Sequence, residues 1–390
     1  MTGIHARLGL RRIINASGTM TDLGASIVGA EPREAIARAL PEFFEMEGLF
    51  RAASRLIAQA TGAEAGLVTS SSASGITLSV AAAMTGDDLS AIERLPLASG
   101  LRDEVVLLAG HAINFGAPVT QMIRLAGARP VLAGQATSSA PWQVAGAITD
   151  RTAALLYVVS HHCARTEQVP LADFAALGHA AGLPVIVDAA SEYDLRGFHD
   201  HADLVIHSGH KFLGGPTSGI VSGRRELIRA AFLQNRGIGR AMKVGKEGIV
   251  GTMAALEAWQ GRDAAAIRAR EGAALLLWQS VAAAAGVPAR IVPDPTGNPL
   301  DRLELRLDYD AQGITAWDLA AALMEGDTPV ATRDLEVEHG LLHLDPCNLH
   351  DGEAEIVAHR LAEELARART EPRRSDLAAR RRAAWRIADF

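Results

Sequence analysis

The sequence predicts an α/β protein, with a large domain built on a mostly parallel central sheet and a small α+β domain after it. Two apolar runs, Val185-Ile186-Val187 and Leu204-Val205-Ile206, are bounded by Pro, Asp and Gly, as buried strands of a parallel sheet are. From Ala254 onwards, a long helical region rich in Ala, Leu and Arg precedes a second set of strands. A chain of 390 residues is long enough for both domains. We expect three segments, at 1–30, 31–253 and 254–390.

Composition limits the classes of function that the chain can serve. Hydrophobic residues make up 48% and charged residues 21%, as is typical of a soluble globular protein. The net charge of −7 disfavours a nucleic-acid-binding surface. Two cysteines, Cys163 and Cys347, are too few for a disulfide framework and indicate a reducing compartment. The first residues resemble no signal peptide, and Pro288 interrupts the most apolar stretch, so we expect a cytoplasmic protein without a membrane span.

The large domain is predicted to alternate helices and strands. Short apolar runs bounded by Gly, Pro or Asp predict strands, and longer periodic segments that end at a glycine predict helices. The predicted helices are 31–40, 49–61, a small-residue helix after Gly75, 122–126, 171–181 and 224–233. The predicted strands are 66–68, 104–108, 129–132 at an edge, 153–159, 185–187, 204–206 and a return strand at 219–222.

The C-terminal part changes its pattern. The helical region runs from Ala254 to about Ala285 and is followed by strands at 289–292, 302–308 and 341–344, with helices at 316–324 and 353–366. The remaining tail, 367–390, carries many arginines together with Trp385 and Phe390. We expect a solvated basic terminal helix there, and docking on a partner subunit stays open.

A carboxylate follows the apolar run at 185–187, and an amine follows the apolar run at 204–206. Asp188 ends the first run, and Ser208, His210 and Lys211 end the second. Ligands of open α/β sheets bind at the carboxyl ends of strands, so these groups are expected to face one site. A lysine can hold the aldehyde of pyridoxal 5′-phosphate (PLP) as a Schiff base, and an aspartate can keep its pyridine nitrogen protonated. The spacing alone is also compatible with an ordinary Asp/Lys pair at the rim of a sheet.

The residues around Asp188 and Lys211 resemble a known family. The run S-G-H-K-F-L-G-G-P-x-S-G-I resembles the lysine motif of fold-type I PLP enzymes, in the branch of bacterial selenocysteine synthase and the glucosaminate-phosphate ammonia-lyases. V-I-V-D-A-A-S-E resembles the ammonia-lyase form of the aspartate strand. Two further motifs also resemble family signatures: I-N-A-S-G-T near the start of the chain and G-R-A-M-K-V-G-K-E near residue 240. The resemblance therefore extends over about 12–246. It implies a fold-type I, aspartate aminotransferase-like large domain with PLP as cofactor.

The resemblance also implies roles for further residues. The serines of T-S-S-S-A-S-G stand where the family binds the PLP phosphate, and a helix N-terminus favours an anion there. His111, after the strand at 104–108, is expected to stack on the PLP ring and to relay protons, as a third catalytic residue beside Lys211 and Asp188. The predicted cofactor-binding residues are Ser70, Ser71, Ser72, His111, Asp188, Ser208, His210 and Lys211.

Substrate-binding residues are expected near the same strand ends, in the N-terminal segment and in the basic motif. Arg240 is the first choice for an anionic group, because its planar fork suits a carboxylate or phosphate. The predicted set is Asn15, Ser17, Ser160, His161, Glu192, Arg240, Lys243 and Lys246. No metal site is expected, because the consecutive His161-His162-Cys163 cannot converge on one ion and lack a spaced complement.

The expected activity is α,β-elimination on a hydroxy- or sugar-derived amino acid, giving a 2-oxo acid and ammonia. Selenocysteine synthase-like β-replacement is an alternative, although the chain begins almost at I-N-A-S-G, without room for a tRNA-binding region before it. An aminotransferase or racemase, or a PLP-binding protein without turnover, are further alternatives. Gly214 stands where the ammonia-lyase form has an arginine, which argues against a phosphorylated sugar acid. The family implies a homo-oligomer, a dimer or larger, with shared active sites.

Overall fold

The structure is a computed structural model that describes residues 3–376. Its contacts divide the chain into two compact units. The large unit is Ser26–Arg262, and the small unit combines Met1–Ala25 with Asp263–Phe390, of which 3–25 and 263–376 are described. The small unit is therefore built from both ends of the chain. The domain boundaries predicted from the sequence stay a prediction.

The helices and strands of the two units are numbered together along the chain. The helices are α1 Ile4–Leu8, α2 Ala30–Ala39, α3 Met46–Thr61, α4 Ser72–Thr85, α5 Leu89–Arg94, α6 Val119–Leu125, α7 Pro141–Ala147, α8 Leu171–Ala180, α9 Arg225–Leu233, α10 Lys246–Gly261, α11 Ala264–Ala284, α12 Tyr309–Gln312, α13 Ala316–Leu323 and α14 Glu353–Thr370. The strands are β1 Ile14–Ala16, β2 Ala65–Thr69, β3 Glu104–Leu108, β4 Arg129–Ala133, β5 Thr152–Val158, β6 Val185–Asp188, β7 Leu204–Ser208, β8 Gly219–Gly223, β9 Ala289–Pro293, β10 Asp301–Arg306, β11 Val330–Thr332 and β12 Leu341–Leu344.

The large unit is organised around a seven-stranded sheet in the order β2-β8-β7-β6-β5-β3-β4. Strands β7, β6, β5, β3 and β4 are parallel, and β8 is antiparallel to both β2 and β7. The predicted mostly parallel sheet, the edge position of β4 and the return strand β8 are confirmed. Because β2 runs in the same direction as β7, the carboxyl ends of β2, β3, β5, β6 and β7 all lie along one edge.

Both faces of this sheet are covered by helices, which explains why its strands are continuously apolar. Val105 and Leu107 of β3 belong to a cluster with Ile76 of α4, on one face. Val106 of β3 belongs to a second cluster, with Phe174 of α8, on the other face. Side chains that alternate along a strand enter opposite layers, so a strand covered on both sides needs apolar residues at every position.

The small unit has its own core. Strands β12, β10 and β9 form an antiparallel sheet, and the two short strands β1 and β11 pair in parallel. Trp278 of α11 is fully buried in this core, with Leu361 of α14. Arg302, also buried, forms ion pairs with Asp294 at 2.7 Å and Asp345 at 2.8 Å. The predicted α+β character of the C-terminal part is confirmed.

The helical region predicted from Ala254 to about Ala285 consists of two helices. Helix α10 already begins at Lys246 and belongs to the large unit, whereas α11 belongs to the small one. The break lies at Arg262 and Asp263, where the Asp263 side chain accepts a hydrogen bond from the Ala266 N–H and begins α11. Overall composition does not mark this break, because alanine is abundant on both sides of it; the local signals are Gly261 at the end of α10 and Asp263 at the start of α11.

Two further expectations concern the ends of the chain and membranes. Of the predicted basic helix at 367–390, residues 367–370 are the end of α14, whereas 377–390, with Trp385 and Phe390, lie outside the described residues. Across 3–376, no helix combines the length and the apolar character that crossing a membrane requires.

Candidate functional site

Asp188 ends β6 as a buried carboxylate, with 5% of its surface exposed. Its Oδ1 accepts a hydrogen bond of 3.1 Å from the Ala190 N–H, the single hydrogen bond of this carboxylate within the described part of the chain. Burial raises the pKa of Asp188 to about 6, against the opposing effects of the Ala190 N–H and of the Lys211 charge. A buried carboxylate with so few donors is stabilised by a cationic N–H placed against it, and a protonated pyridine nitrogen is such a group.

Lys211 lies half-buried in a turn that follows β7, the neighbour of β6 in the sheet. The turn is fixed by backbone hydrogen bonds from Gly209 to Ser218 at 3.0 Å and from Gly215 to Gly209 at 2.8 Å. A Cβ at Gly209 would lie 2.0 Å from the Ser218 hydroxyl, so the close approach requires glycine. The Lys211 side chain therefore extends from a constrained backbone, in the turn that follows the strand next to that of Asp188.

The other two residues predicted in this turn contact each other. The Ser208 hydroxyl lies 3.2 Å from His210 Nδ1, and it accepts a hydrogen bond of 3.3 Å from the His210 N–H. Burial and the adjacent charge of Lys211 lower the pKa of His210. A neutral His210 beside Lys211 adds no second cation to the turn.

The predicted phosphate turn is the N-terminus of α4. Ser71 is the N-cap: its hydroxyl accepts from the Ser74 N–H at 3.0 Å, and the Ser74 hydroxyl accepts from the Ser71 N–H at 3.0 Å. Ser70 donates to the Ser74 hydroxyl at 3.1 Å. The first N–H groups of a helix have no acceptor within it, so the start of α4 offers donors and a favourable dipole to an anion.

Gly219 brings the serine turn next to the lysine turn. It pairs with Thr69 of β2 on one side and with Ser208 of β7 on the other. A Cβ at Gly219 would lie 2.4 Å from the Ser71 carbonyl oxygen. Ser72 also donates a hydrogen bond of 3.4 Å to the His207 carbonyl. The predicted phosphate turn and the predicted lysine turn are thus direct neighbours across β8.

His111 follows β3 and is almost fully buried, with 3% of its surface exposed. Its Nδ1 accepts a hydrogen bond of 3.3 Å from the Val158 N–H, which leaves the ring proton on Nε2, and its ring packs edge-to-face on Tyr157. Burial lowers the pKa of His111 to about 4. The imidazole is therefore neutral at physiological pH, which suits packing on an aromatic ring better than transfer of a proton.

The turn after β5 holds the next set of predicted residues. Ser160 is buried and accepts a hydrogen bond of 3.2 Å from the His162 N–H, and the rings of His161 and His162 lie 3.9 Å apart. The Ala164 N–H donates to the Gly110 carbonyl at 3.1 Å, which ties this turn to the His111 turn. The structure therefore places Ser160 and His161 beside the strand end that carries Asp188, because β5 pairs with β6.

Glu192 is a second buried carboxylate close to Asp188 along the chain, with 7% of its surface exposed. The Ser191 hydroxyl donates to its Oε1 at 3.4 Å. Glu192 and Asp188 both contribute, after burial, to raising the pKa of Cys163 to about 12. Because both carboxylates act on Cys163, Glu192 lies in the same acidic environment as Asp188. The raised pKa keeps the Cys163 thiol protonated and therefore unreactive.

The three cations of the basic motif differ in their surroundings. Arg240 and Lys243 are exposed, and within 3–376 their side chains form neither an ion pair nor a hydrogen bond. Lys246 donates to the Leu40 carbonyl at 2.8 Å and to the Glu42 carbonyl, and lies over the Phe43 ring. Lys246 thus holds the segment after α2, whereas Arg240 and Lys243 are available to an anion.

Asn15 and Ser17 belong to the small unit. The Asn15 Oδ1 accepts hydrogen bonds from the Ser17 N–H at 2.9 Å and the Ser17 hydroxyl at 3.1 Å. Gly18 adopts φ +89°, and a Cβ there would lie 2.7 Å from an Asp345 oxygen. Ser17 lines a cavity of about 320 Å³ in this unit, together with Met20, Trp317 and Thr332. These contacts order the N-terminal segment, and the predicted role of its two polar residues stays a prediction.

An aromatic cluster with an arginine, absent from the sequence predictions, lies beside Lys211. The Arg262 guanidinium carbon is 3.2 Å from the centroid of the Trp259 ring and 4.2 Å from that of Tyr193. Arg262 also donates to the Phe212 carbonyl at 3.3 Å. No sequence motif marks these residues, because Tyr193, Phe212 and the α10 terminus are far apart along the chain.

The described residues give no support to a metal-dependent site. Within 3–376, no group of three or more His, Cys, Asp or Glu side chains is arranged to hold a metal ion. The two cysteines are free thiols, Cys163 being buried.

Comparison with known proteins places this arrangement in a family. Residues 13–276 match the family model described as SelA: L-seryl-tRNA selenium transferase. The chain is 40% identical to D-glucosaminate-6-phosphate ammonia lyase of Salmonella typhimurium, over 92% of this chain and 97% of that one. It is 37% identical to 5′-C-glycyluridine monooxygenase-decarboxylase of a Streptomyces species, over 93% of both chains, and 27% identical to L-seryl-tRNA(Sec) selenium transferase of Moorella thermoacetica, over 92% and 83%.

Solved structures agree with the sequence relatives. The structure of D-glucosaminate-6-phosphate ammonia-lyase superposes with a TM-score of 0.85 at 40% identity, covering 94% of this chain and 100% of that one. Aspartate aminotransferase from Thermus thermophilus matches at 17% identity with a TM-score of 0.53, covering 92% and 93%, which shows a shared fold. The expected fold-type I architecture is confirmed. The chain belongs to the SelA (L-seryl-tRNA selenium transferase) family.

Proposed function

We propose that the protein is a PLP-dependent lyase that eliminates across the α,β-bond of a hydroxy- or sugar-derived amino acid and releases a 2-oxo acid and ammonia. The observation that carries the proposal is the buried Asp188 carboxylate, with one hydrogen bond from Ala190, on the strand next to the one that leads to Lys211. The 40% identity to an ammonia lyase over most of both chains supports this reaction class.

The residues at the strand ends suit PLP, whose ring withdraws electrons from the α-carbon of an attached amino acid. Lys211 provides the amine for its aldehyde, and Asp188 provides the carboxylate for its pyridine N–H. Ser70, Ser71 and Ser72 lie at the N-terminus of α4, where a phosphate is favoured. His111, neutral and buried, would pack on the face of the PLP ring, and Ser208 and His210, which contact each other, would line the lysine turn.

The chain's own groups account for the proton movements of an elimination. Lys211 would hold the aldehyde and, once the substrate amine has taken its place, would remove the proton from the α-carbon as a general base. The bond between the β-carbon and its hydroxyl would then break, and the proton that Lys211 took would leave with the hydroxyl as water. Lys211 would take back the aldehyde and release an enamine, which would gain a proton on the β-carbon to become an imine. Hydrolysis of the imine by one water would give one 2-oxo acid and one ammonia.

Substrate orientation is proposed to depend on anionic groups. Arg240 and Lys243 are exposed cations whose side chains have no partner in the described part of the chain, so they are suited to a carboxylate or another anion. Ser160, His161 and Glu192 lie at or next to the strand ends that carry Asp188. Asn15 and Ser17 are retained as candidates from the N-terminal segment.

An absorption spectrum tests the proposal directly. We expect the purified wild-type protein, loaded with PLP, to show the visible band of a lysine-bound aldehyde, and Lys211→Ala to lose it. The wild type, incubated with D- and L-amino acids that carry a β-hydroxyl, should release ammonia and a 2-oxo acid from at least one of them. Arg196→Lys, a change on the surface of the same unit, is a control that should keep the band.

The same experiment contradicts the proposal if the wild type shows no band and does not bind added PLP. A band without ammonia from any amino acid would point to another reaction. Carbon dioxide release with oxygen consumption would favour an activity like that of the 37% identical monooxygenase-decarboxylase. Replacement on seryl-tRNA is disfavoured by the net charge of −7, since tRNA binding relies on neutralising phosphates.

We further propose that the protein works in the cytoplasm as a homo-oligomer whose subunits share active sites. The free thiols of Cys163 and Cys347 support a reducing compartment. Exposed apolar side chains on the large unit, described in the Discussion, support association of subunits.

A further inference from the structure

Arg262 connects three separate parts of the large unit. It directly follows α10, and its guanidinium contacts two rings: that of Trp259, in α10, and that of Tyr193, in the segment after Asp188. It donates to the carbonyl of Phe212, the residue next to Lys211. One side chain thus contacts the loop that follows the carboxylate, the loop that carries the amine, and a long helix.

The surrounding rings make this contact a packed cluster. The Tyr193 and Trp259 rings lie 4.5 Å apart and the Tyr193 and Phe212 rings 5.7 Å apart, within the range of interacting aromatic pairs. A guanidinium stacked on such rings is attracted by their π electrons, and this attraction grows as the guanidinium is desolvated. All four side chains are partly buried, and the hydrogen bond to Phe212 joins the cluster to the loop that carries Lys211.

Arginine is suited to this position and lysine is not. A planar guanidinium can stack on an aromatic ring, here that of Trp259, while its edge donates hydrogen bonds, here to the Phe212 carbonyl. The lysine ammonium is a point charge that cannot stack and donate in this way. If the position requires a planar cation, then the stacking and the hydrogen bond of Arg262 matter, and not its positive charge alone.

We propose that Arg262 is a positioning residue that fixes the loop carrying Lys211 relative to the loop that follows Asp188. This inference rests on the proposed function, since it assumes that PLP is held between these two residues. Without Arg262, the two loops keep the contact between the Tyr193 and Phe212 rings but lose the hydrogen bond to the Phe212 carbonyl and the cation that packs on Tyr193 and Trp259. The Lys211 amine then spends less time in the position from which it can hold the cofactor.

PLP affinity measures this role without any substrate. Apoprotein is titrated with PLP and the visible band is followed for the wild type, Arg262→Lys and Arg262→Gln. We expect the dissociation constant of PLP to rise about tenfold in Arg262→Lys, because the stacked, hydrogen-bonded cation is lost while the charge remains. Arg262→Gln should bind PLP at least as weakly. If Arg262→Gln does not fold, the PLP dissociation constant of Arg262→Lys alone tests the positioning role.

Arg196→Lys is the matched control. Arg196 lies in the same segment as Tyr193 and donates to the carbonyls of Ala60 at 3.0 Å and Gln59 at 2.9 Å, so it too joins a loop to a helix through backbone contacts. These contacts are with α3 and not with the loop that carries Lys211. We expect Arg196→Lys to keep wild-type PLP affinity, even where its melting temperature falls as far as that of Arg262→Lys.

Three outcomes separate the possibilities. Wild-type PLP affinity in Arg262→Lys and Arg262→Gln would overturn the positioning role. An equal loss of affinity in Arg196→Lys would overturn it as well, because general destabilisation would then account for the effect. Failure of the proposed function is recognised separately, by a wild-type protein that shows no band dependent on Lys211.

Discussion

At the scale of single residues, Asp188 shows a conflict between stability and function. Its carboxylate is buried with one neutral hydrogen-bond donor, and burial raises its pKa to about 6. In a protein without cofactor, ionisation of Asp188 above that pH therefore lowers the stability of the folded state. A cationic partner removes this cost, so the buried Asp188 carboxylate indicates that the ligand brings a cationic group against it.

The first residue-scale prediction concerns the stability of Asp188→Asn. Since the folded-state pKa is raised, the stability due to the protonated carboxyl is fully present below pH 3.8 and is lost as the pH rises through about 6. At most about 3 kcal/mol is involved, at 1.36 kcal/mol for each pKa unit. We expect the Asp188→Asn apoprotein to be more stable than the wild-type apoprotein at pH 8, by about 1–3 kcal/mol, and nearly equal at pH 4.

Urea unfolding of the two apoproteins at both pH values measures this difference, and PLP titration supplies the functional readout. The variant should bind PLP more weakly than the wild type although its apoprotein is more stable. A variant that is less stable at pH 8 would show that the Asp188 charge is compensated by groups other than the cofactor.

The residues that could be predicted from the sequence are those whose type and place in a motif both carry chemistry. Asp188 and Lys211 were found because they follow buried strands, and the structure places those strands side by side. Arg262 could not be found, because its partners Tyr193 and Phe212 come from other segments and only packing brings them together. The anchoring of Lys246 on the Leu40 and Glu42 carbonyls was unpredictable for the same reason.

At the scale of elements, β8 determines how the phosphate turn and the lysine turn meet. Gly219 starts this strand between Thr69 and Ser208, and its missing side chain admits the Ser71 carbonyl. The sequence predicted a return strand here, because Gly219 begins a short apolar run. It did not reveal that the glycine is required, since a glycine at the start of a strand is also common for conformational reasons.

The element-scale prediction is that Gly219→Ala weakens PLP binding. The new Cβ would meet the Ser71 carbonyl at 2.4 Å and the Thr69 hydroxyl at 2.5 Å, so the serine turn must move. We expect a loss of about 1–3 kcal/mol in the free energy of unfolding, as for other overpacked sites, and a clear loss of PLP affinity. Chemical denaturation and PLP titration measure the two effects.

Gly146→Ala is the control for this substitution. Gly146 lies in α7, and a Cβ there would have no atom within 4 Å. Because alanine favours a helix over glycine, Gly146→Ala should be neutral or stabilising by up to about 1 kcal/mol and should leave PLP affinity unchanged. Wild-type PLP affinity in Gly219→Ala would contradict the role given to β8.

At the scale of the whole molecule, periodicity predicted most of the architecture, because long strands and helices repeat their burial pattern. The mostly parallel sheet of the large unit and the α+β character of the small unit both follow from such patterns, whereas the antiparallel pairing of β12, β10 and β9 does not. The pairing of β1 with β11 was missed, since each has three residues and they lie at opposite ends of the chain. That pairing makes the N-terminal segment part of the small unit, which a linear division of the sequence cannot reveal.

A cluster of exposed apolar side chains follows α2 on the large unit. Phe43 is fully exposed, and the cluster also contains Leu40, Phe44 and Met46. The segment does not move freely, because Lys246 binds its carbonyls at Leu40 and Glu42. Adjacent apolar side chains held in a fixed, exposed position are typical of a surface that another protein covers. A second copy of this chain is the partner that the proposed homo-oligomer provides.

The whole-molecule prediction is that this cluster holds subunits together. Light scattering of the PLP-loaded protein should give a multiple of the 41.1 kDa chain mass. Phe43→Glu, which places a charge in the cluster, should shift the mass towards that of one chain and weaken PLP binding, if the subunits share their sites. Trp142→Glu is the matched control, because Trp142 is also strongly exposed but lies in α7. A PLP-loaded wild type at 41.1 kDa with an intact band, or equal effects of the two substitutions, would contradict the shared-site arrangement.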